Sequence, residues 1–148
     1  MPVNKSEVTY NLQIADIVPE FSKLSSDEKE DIKEMVGDLL LEEIESFLDE
    51  SESPVNGGKY KRLKKDGEPS TLELTGDMRS TLEWSSVKGG IKVGIFGNGE
   101  TEKAFNHNVG DTVPVRRFIP LPDEEFKPAI VRKIRSLVLN AIETEEEV

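Results

Sequence analysis

The chain has 148 residues, enough for one hydrophobic core and too few for two full domains, so a single domain spanning 1–148 is expected. Its net charge of −11 disfavours duplex nucleic acid as a default ligand, and the absence of cysteine excludes disulfides, thiolate nucleophiles and zinc–thiolate sites. No run approaches the roughly 20 apolar residues that cross a bilayer, and Met1–Lys5 does not open a signal peptide, so no membrane partner and synthesis in the cytoplasm are expected.

The charge is unevenly placed. Residues 1–58 hold 15 acidic and 4 basic side chains, whereas residues 59–148 hold 15 of each, so the whole net charge belongs to the first part. The simplest physical meaning of that acidity is a well-solvated surface.

In chain order, Val8, Tyr10, Leu12 and Ile14 alternate with Thr9, Asn11 and Gln13, the period of a half-buried strand. Pro19 and Ser25-Ser26 interrupt the chain before its strongest element. Ser25 and Glu28 have the spacing of a capping box, and Asp27 and Glu28 complement the positive end of a helix. From Ile32 the apolar residues Met35, Val36, Leu39, Leu40, Ile44, Phe47 and Leu48 recur in steps of three and four, which predicts a helix over Ser26–Asp49, about 36 Å long. Gly37 inside it points to a close packing contact.

Pro54 and Asn56-Gly57-Gly58, then Asp66-Gly67-Glu68-Pro69, predict an extended excursion over 51–71. Thr81–Val87 and Ile91–Phe96, separated by Lys88-Gly89-Gly90, predict a hairpin with a three-residue turn. A loop with a short helix around Glu102–Asn106 and a strand at Val113–Arg117 come next. A final helix is expected to start near Asp123, with the stripe Phe126, Ile130, Ile134, Leu137, Val138, Ala141 and Ile142; residues 143–148 form an acidic frayed tail. The fold class is therefore α+β: an antiparallel sheet with a β-hairpin, packed against a long N-terminal helix and a C-terminal helix.

Little in this inventory carries chemistry. Gly94, Gly97 and Gly99 lack the lysine and helix that follow a phosphate-binding loop, and they read as turn glycines. His107 has no nucleophile or orienting carboxylate in a recognisable pattern around it, so no enzyme is expected. Glu42, Glu43 and Glu45 point in different directions on a helix and read as a solvated face. Trp84 reads as a core or sheet-face residue, with an interface role as the alternative. Lys59, Tyr60, Lys61, Arg62, Lys64 and Lys65 put five positive charges in seven residues around a tyrosine. Such a run fits an acidic protein surface, a nucleic acid with Tyr60 stacking on a base, or a plain solvated loop. No cofactor or metal is implied.

Several strings between residues 54 and 125 occur together in a specific order. They are Tyr60-x-x-Leu63-Lys64; Leu72-Glu73-Leu74-Thr75-Gly76-Asp77-Met78 with Ser80 after it; Ile91–Ile95; Phe105-Asn106-His107-Asn108-Val109-Gly110; Val113-Pro114-Val115-Arg116-Arg117-Phe118; and Pro122-Asp123-Glu124-Glu125 before a final helix. In this order the chain resembles the virion morphogenesis family of tailed bacteriophages, the tail-completion and head–tail joining proteins. Phe105 and Asn108 stand where that pattern more often has tyrosine and glutamine, and the first half is unusually acidic.

The resemblance implies a structural virion protein, made in the bacterial cytoplasm, that forms a ring of its own copies, a hexamer, and completes or terminates the tail or joins it to the head, with tail tube and head–tail connector proteins as partners and genomic DNA at most passing through. For such a protein the basic run Lys59, Tyr60, Lys61, Arg62, Lys64 and Lys65, with Arg116, Arg117 and Phe118, is the candidate assembly interface, on the strength of its charge. The alternative is a small acidic, non-enzymatic binding module whose basic loop 59–65 engages nucleic acid or an acidic protein.

Overall fold

A computed structural model describes residues 7–50, 52–56, 81–96 and 117–146. Strand β1 (Glu7–Gln13) runs into a one-turn helix α1 (Ile14–Ile17) and a 3-10 helix at Pro19–Lys23. Helix α2 follows (Ser26–Asp49), then strands β2 (Leu82–Val87) and β3 (Gly90–Phe96), and helix α3 (Pro128–Glu146). The three strands form one antiparallel sheet in the order β1-β3-β2, so the α+β expectation holds.

The register explains which residues are buried. Val8 lies opposite Ile95, Tyr10 opposite Val93 and Leu12 opposite Ile91, while across β3 Leu82 faces Ile95 and Trp84 faces Val93. Because strand side chains alternate, these residues share one face, and α2 and α3 cover it together. The other face carries Thr9, Asn11, Gln13, Lys92, Glu83 and Ser85, exposed or half-buried. The two helices are therefore neighbours in a single layer over the sheet. Ile32, Val36, Leu40, Ile44 and Leu48 of α2 meet Ile130, Ile134, Val138 and Ile142 of α3 in one core.

Helix α2 spans the predicted residues, and its start is built by the predicted cap. The Glu28 backbone N–H donates to Ser25 Oγ at 3.2 Å, and the Ser25 N–H donates to Glu28 Oε1 at 3.1 Å. Two N–H groups that the first turn leaves unpaired are thereby satisfied. The stripe needs one correction: Met35 is 40% exposed, on the outer side of the helix. One residue is about 100° of helical rotation, which carries Met35 off the Val36–Leu40–Ile44 line that faces the sheet.

Gly37 is the close contact its position suggested. A Cβ built there would lie 2.6 Å from Trp84 Cγ and closer still to the rest of the indole, which rests on the helix backbone. Trp84 Nε1 donates to Asp38 Oδ1 at 3.2 Å, which places the ring.

The hairpin turn is shorter than predicted. Gly90 is already paired with Val87 and with Gln13, leaving Lys88-Gly89 as a two-residue loop in which Gly89 has φ of 77°, a conformation that suits glycine. Gly90 has a structural duty of its own, because a side chain there would collide with the Leu12 carbonyl of β1.

Helix α3 begins at Pro128, five residues later than the acidic cluster at Asp123 suggested. Proline lacks an N–H and clashes with the turn before it, so it tolerates the first helical position and not the interior, and it holds the preceding residue out of helical geometry. Lys127 accordingly opens the helix, its carbonyl accepting from Ile130 and Val131 N–H. Asp123–Phe126 follow a turn in which Glu124 N–H donates to Leu121 O at 2.9 Å, while Leu121 N–H donates to Glu124 Oε1 at 3.0 Å. Phe126 is buried although it is not helical, its ring edge-on to Tyr10 at 5.5 Å.

Candidate functional site

Of the predicted assembly residues, Lys59, Tyr60, Lys61, Arg62, Lys64, Lys65 and Arg116 lie outside the described residues, as do His107 and the strings at 72–78 and 105–110. Arg117 and Phe118 are described, and both face inward. Phe118 is fully buried beside Ile119, so it offers no surface to a partner. The Arg117 side chain is 13% exposed, with Nε 2.9 Å from Glu124 Oε1, and its carbonyl accepts from Ser53 Oγ at 2.6 Å. The Val113–Phe118 string thus delivers its last two residues to the fold rather than to the surface.

Ser53 is a buried junction absent from the sequence-based set. Its Oγ also accepts from the N–H groups of Val55 and Asn56 at 3.0 and 3.1 Å, and nearby Lys127 N–H donates to Pro54 O at 2.9 Å. Residues 53–56 are thereby fastened both to the stretch at 117–119 and to the start of α3. A serine just before proline, a few residues ahead of a glycine pair, is the local signal for such a turn.

Lys33 is a second junction. It lies within the buried arc of α2 and is 6% exposed. Its Nζ donates to Val87 O at 2.8 Å, Ser86 Oγ at 3.1 Å and Glu30 Oε1 at 3.1 Å, three acceptors for three hydrogens. Glu30 also accepts from Ser86 Oγ at 3.0 Å; the bond from Lys33, then that from Ser86, lowers its pKa. The set ties the first half of α2 to the end of β2. It is satisfied internally, which marks it as structural.

A polar pocket of about 220 Å³ opens where β1 meets the turn before α3, between Tyr10, Gln13, Asp16, Glu125, Phe126 and Arg135. Burial, then the nearby carboxylates of Glu125 and Asp16, raise the Tyr10 pKa above its ordinary 10.0, so the phenol there is a neutral donor through the physiological range. The pocket carries the acidic side chains of Asp16 and Glu125 and the basic side chain of Arg135 on one rim. Among the described residues no group of three metal-ligating side chains comes together, and no helix is long and apolar enough to cross a membrane.

The third feature is the outer face of the helix layer. Glu43 of α2 and Lys133 of α3 are joined at 2.7 Å, which sets the two antiparallel helices in register. Above that bridge runs a shallow apolar seam. One part, about 480 Å³, is lined by Leu39, Ala129, Arg132, Lys133, Ser136 and Leu137, and the next, about 500 Å³, by Met35, Leu137, Asn140, Ala141 and Thr144. Met35 and Leu139, the large apolar side chains left exposed among the described residues, both belong to this layer.

No family model, no curated protein and no solved structure matches the chain. The functional reading therefore rests on the residues themselves.

Proposed function

We propose that the chain is a structural virion protein of a tailed bacteriophage, assembling with copies of itself into a ring, a hexamer, at the head–tail junction, where it completes the tail and joins it to the head. The observation that carries the reading is the ordered run of strings from Tyr60 to Glu125 that resembles the virion morphogenesis family. Within the fold, Ile91–Ile95 lies in the central strand, Phe118 enters the core, and Pro122–Glu125 forms the turn that leads into α3. Such a protein acts by binding neighbours and needs no active site. Its partners are its own copies, the tail tube and the head–tail connector. Its acidic surface lets DNA pass without adhering.

The basic run gives the reading a mechanism. Lys59, Lys61, Arg62, Lys64 and Lys65 on one copy meet the acidic first part of the next copy. Single exposed pairs contribute roughly 0–1 kcal/mol, so assembly depends on several acting together and weakens near 1 M salt.

The test is electron microscopy of purified particles with the chain gold-labelled, together with light scattering of the pure protein. A label at the junction of head and tail, and a ring mass that falls when Lys61, Arg62 and Lys64 are all changed to Glu, are the expected results. Absence from particles, with tight binding of oligonucleotides by the monomer, would replace this reading with that of a binding module.

A further inference from the structure

From the outer face of the helix layer we infer that it is a pairing surface for a second copy of this chain, packed with α2 of each copy over α3 of the other. This pairing is independent of the head–tail reading, since it uses the helix layer and not the basic run.

The argument begins with charge. Helix α2 carries ten acidic and two basic side chains, a net of −8, whereas α3 carries Arg132, Lys133 and Arg135 along its first part and Glu143, Glu145 and Glu146 at its end, a net of zero. Two copies can stack these layers about a two-fold axis in two ways. An axis across the helices lays α2 on α2 and sets eight net negative charges against eight. An axis running along the seam lays each α2 on the net-neutral α3 of the other copy and brings its acidic line over the basic first part of that helix. Like-charge juxtaposition costs several kcal/mol across an interface, so charge selects the second arrangement.

The heights of the side chains agree with it. Within one chain Met35 shares its part of the seam with Asn140 and Ala141, and Leu39 shares its part with Arg132 and Ser136. An axis along the seam preserves height. Met35 of one copy therefore comes over the Leu139–Asn140 turn of the other, and exposed Glu42, one residue from the Glu43–Lys133 bridge, comes over exposed Arg132. The exposed large apolar side chains among the described residues, Met35 at 40% and Leu139 at 45%, cover each other twice in the pair. Asp31, Met35, Asp38 and Glu42 recur on the outward line of α2, and Arg132, Ser136, Leu139 and Glu143 on that of α3. The mismatch is at the acidic end of α3, where Glu143 meets the acidic start of α2.

Sedimentation velocity between about 1 and 100 µM tests the pairing in the full chain carrying Lys61→Glu, Arg62→Glu and Lys64→Glu, the parent of every variant below, which removes the proposed ring contact; affinities in this range correspond to dissociation constants near micromolar. A concentration-dependent dimer is expected. Leu139→Lys with Met35→Lys should leave a monomer with an unchanged circular dichroism spectrum, because neither side chain belongs to the core. Glu42→Lys alone and Arg132→Glu alone should each weaken the dimer at least tenfold, the two together in one chain should restore it, and Glu143→Lys should tighten it. A parent chain that stays monomeric at about 100 µM would overturn the inference. So would oligomers that persist in Leu139→Lys/Met35→Lys, or a charge-reversed double variant no tighter than its single parents.

Discussion

Replacing Gly37 by alanine should destabilise the protein, although on an isolated helix the same change is favourable. In a helix interior, alanine is better than glycine by about 1 kcal/mol. Here the new methyl would sit 2.6 Å from Trp84 Cγ, about 1 Å inside a normal carbon–carbon contact. The indole cannot slide away freely, because its Nε1–H is bonded to Asp38 and its strand is held through β3. Overpacking of this kind costs about 1–3 kcal/mol, and losing the Asp38 bond adds about 1 kcal/mol. After the helix gain is subtracted, the net loss is about 1–3 kcal/mol, which should lower the urea midpoint by roughly 1 M. A cycle with Trp84→Leu isolates the cause, since Gly37→Ala in that background should raise the midpoint. Chemical denaturation followed by circular dichroism reads all four proteins. If Gly37→Ala stabilised the protein that keeps Trp84 as much as the one carrying Trp84→Leu, the indole would not be resting on this backbone.

Leu40→Asp should abolish cooperative unfolding, since Leu40 is fully buried and an unpaired carboxylate in its place costs several kcal/mol; an unchanged melting temperature would refute the placement of α2. Lys33→Ala should cost about 1–3 kcal/mol by leaving Val87 O and Glu30 without their donor, and an equal loss in the Lys33→Ala/Ser86→Ala pair and in the single variant would show the coupling. Bonding to Lys92 holds Glu7 below its ordinary 4.5, so its contribution is present above 4.5 and is lost as pH falls through the lower folded value; Glu7→Gln should flatten the acid limb of stability against pH. Tyr10 is held above 10.0, so its contribution is present below 10 and is lost as pH rises through the higher folded value; Tyr10→Phe should make the alkaline limb less steep.

What could be read from residues alone divides along physical lines. The signals for α2 are local: Ser25, Glu28 and the three-four spacing all act within a few residues of the bonds they form, and both helix ends agree with the structure. The same locality places the start of α3, because Pro128 is visible in the sequence and its steric veto outweighs the mild electrostatic preference expressed by the acidic cluster at Asp123. Met35 falls in the stripe because spacing fixes angle only coarsely, and its exposure depends on where α3 lies. Phe118 illustrates the opposite difficulty. An aromatic beside two arginines suits an interface by composition, yet Phe118 is buried in the core cluster that also takes in Val55, more than sixty positions away. The seam of the helix layer is of the same kind, because it exists only once two helices distant in sequence are laid side by side.

The position of β3 between the other two strands has a consequence in time. β2 and β3 are joined by two residues and can pair within microseconds, but β1 pairs with β3 across separations of 77 to 89 residues. As the chain is synthesised, β1 and α2 are complete long before residues 90–96 exist, so the first strand made must wait for the third. Its edge and the apolar side of α2 stand uncovered through that interval, and closing so long a loop is the slow step. An abundant acidic complement on α2 keeps such a waiting chain dispersed by mutual repulsion. The negative charge concentrated in the first part of the molecule thus protects the protein most while it is still unfinished.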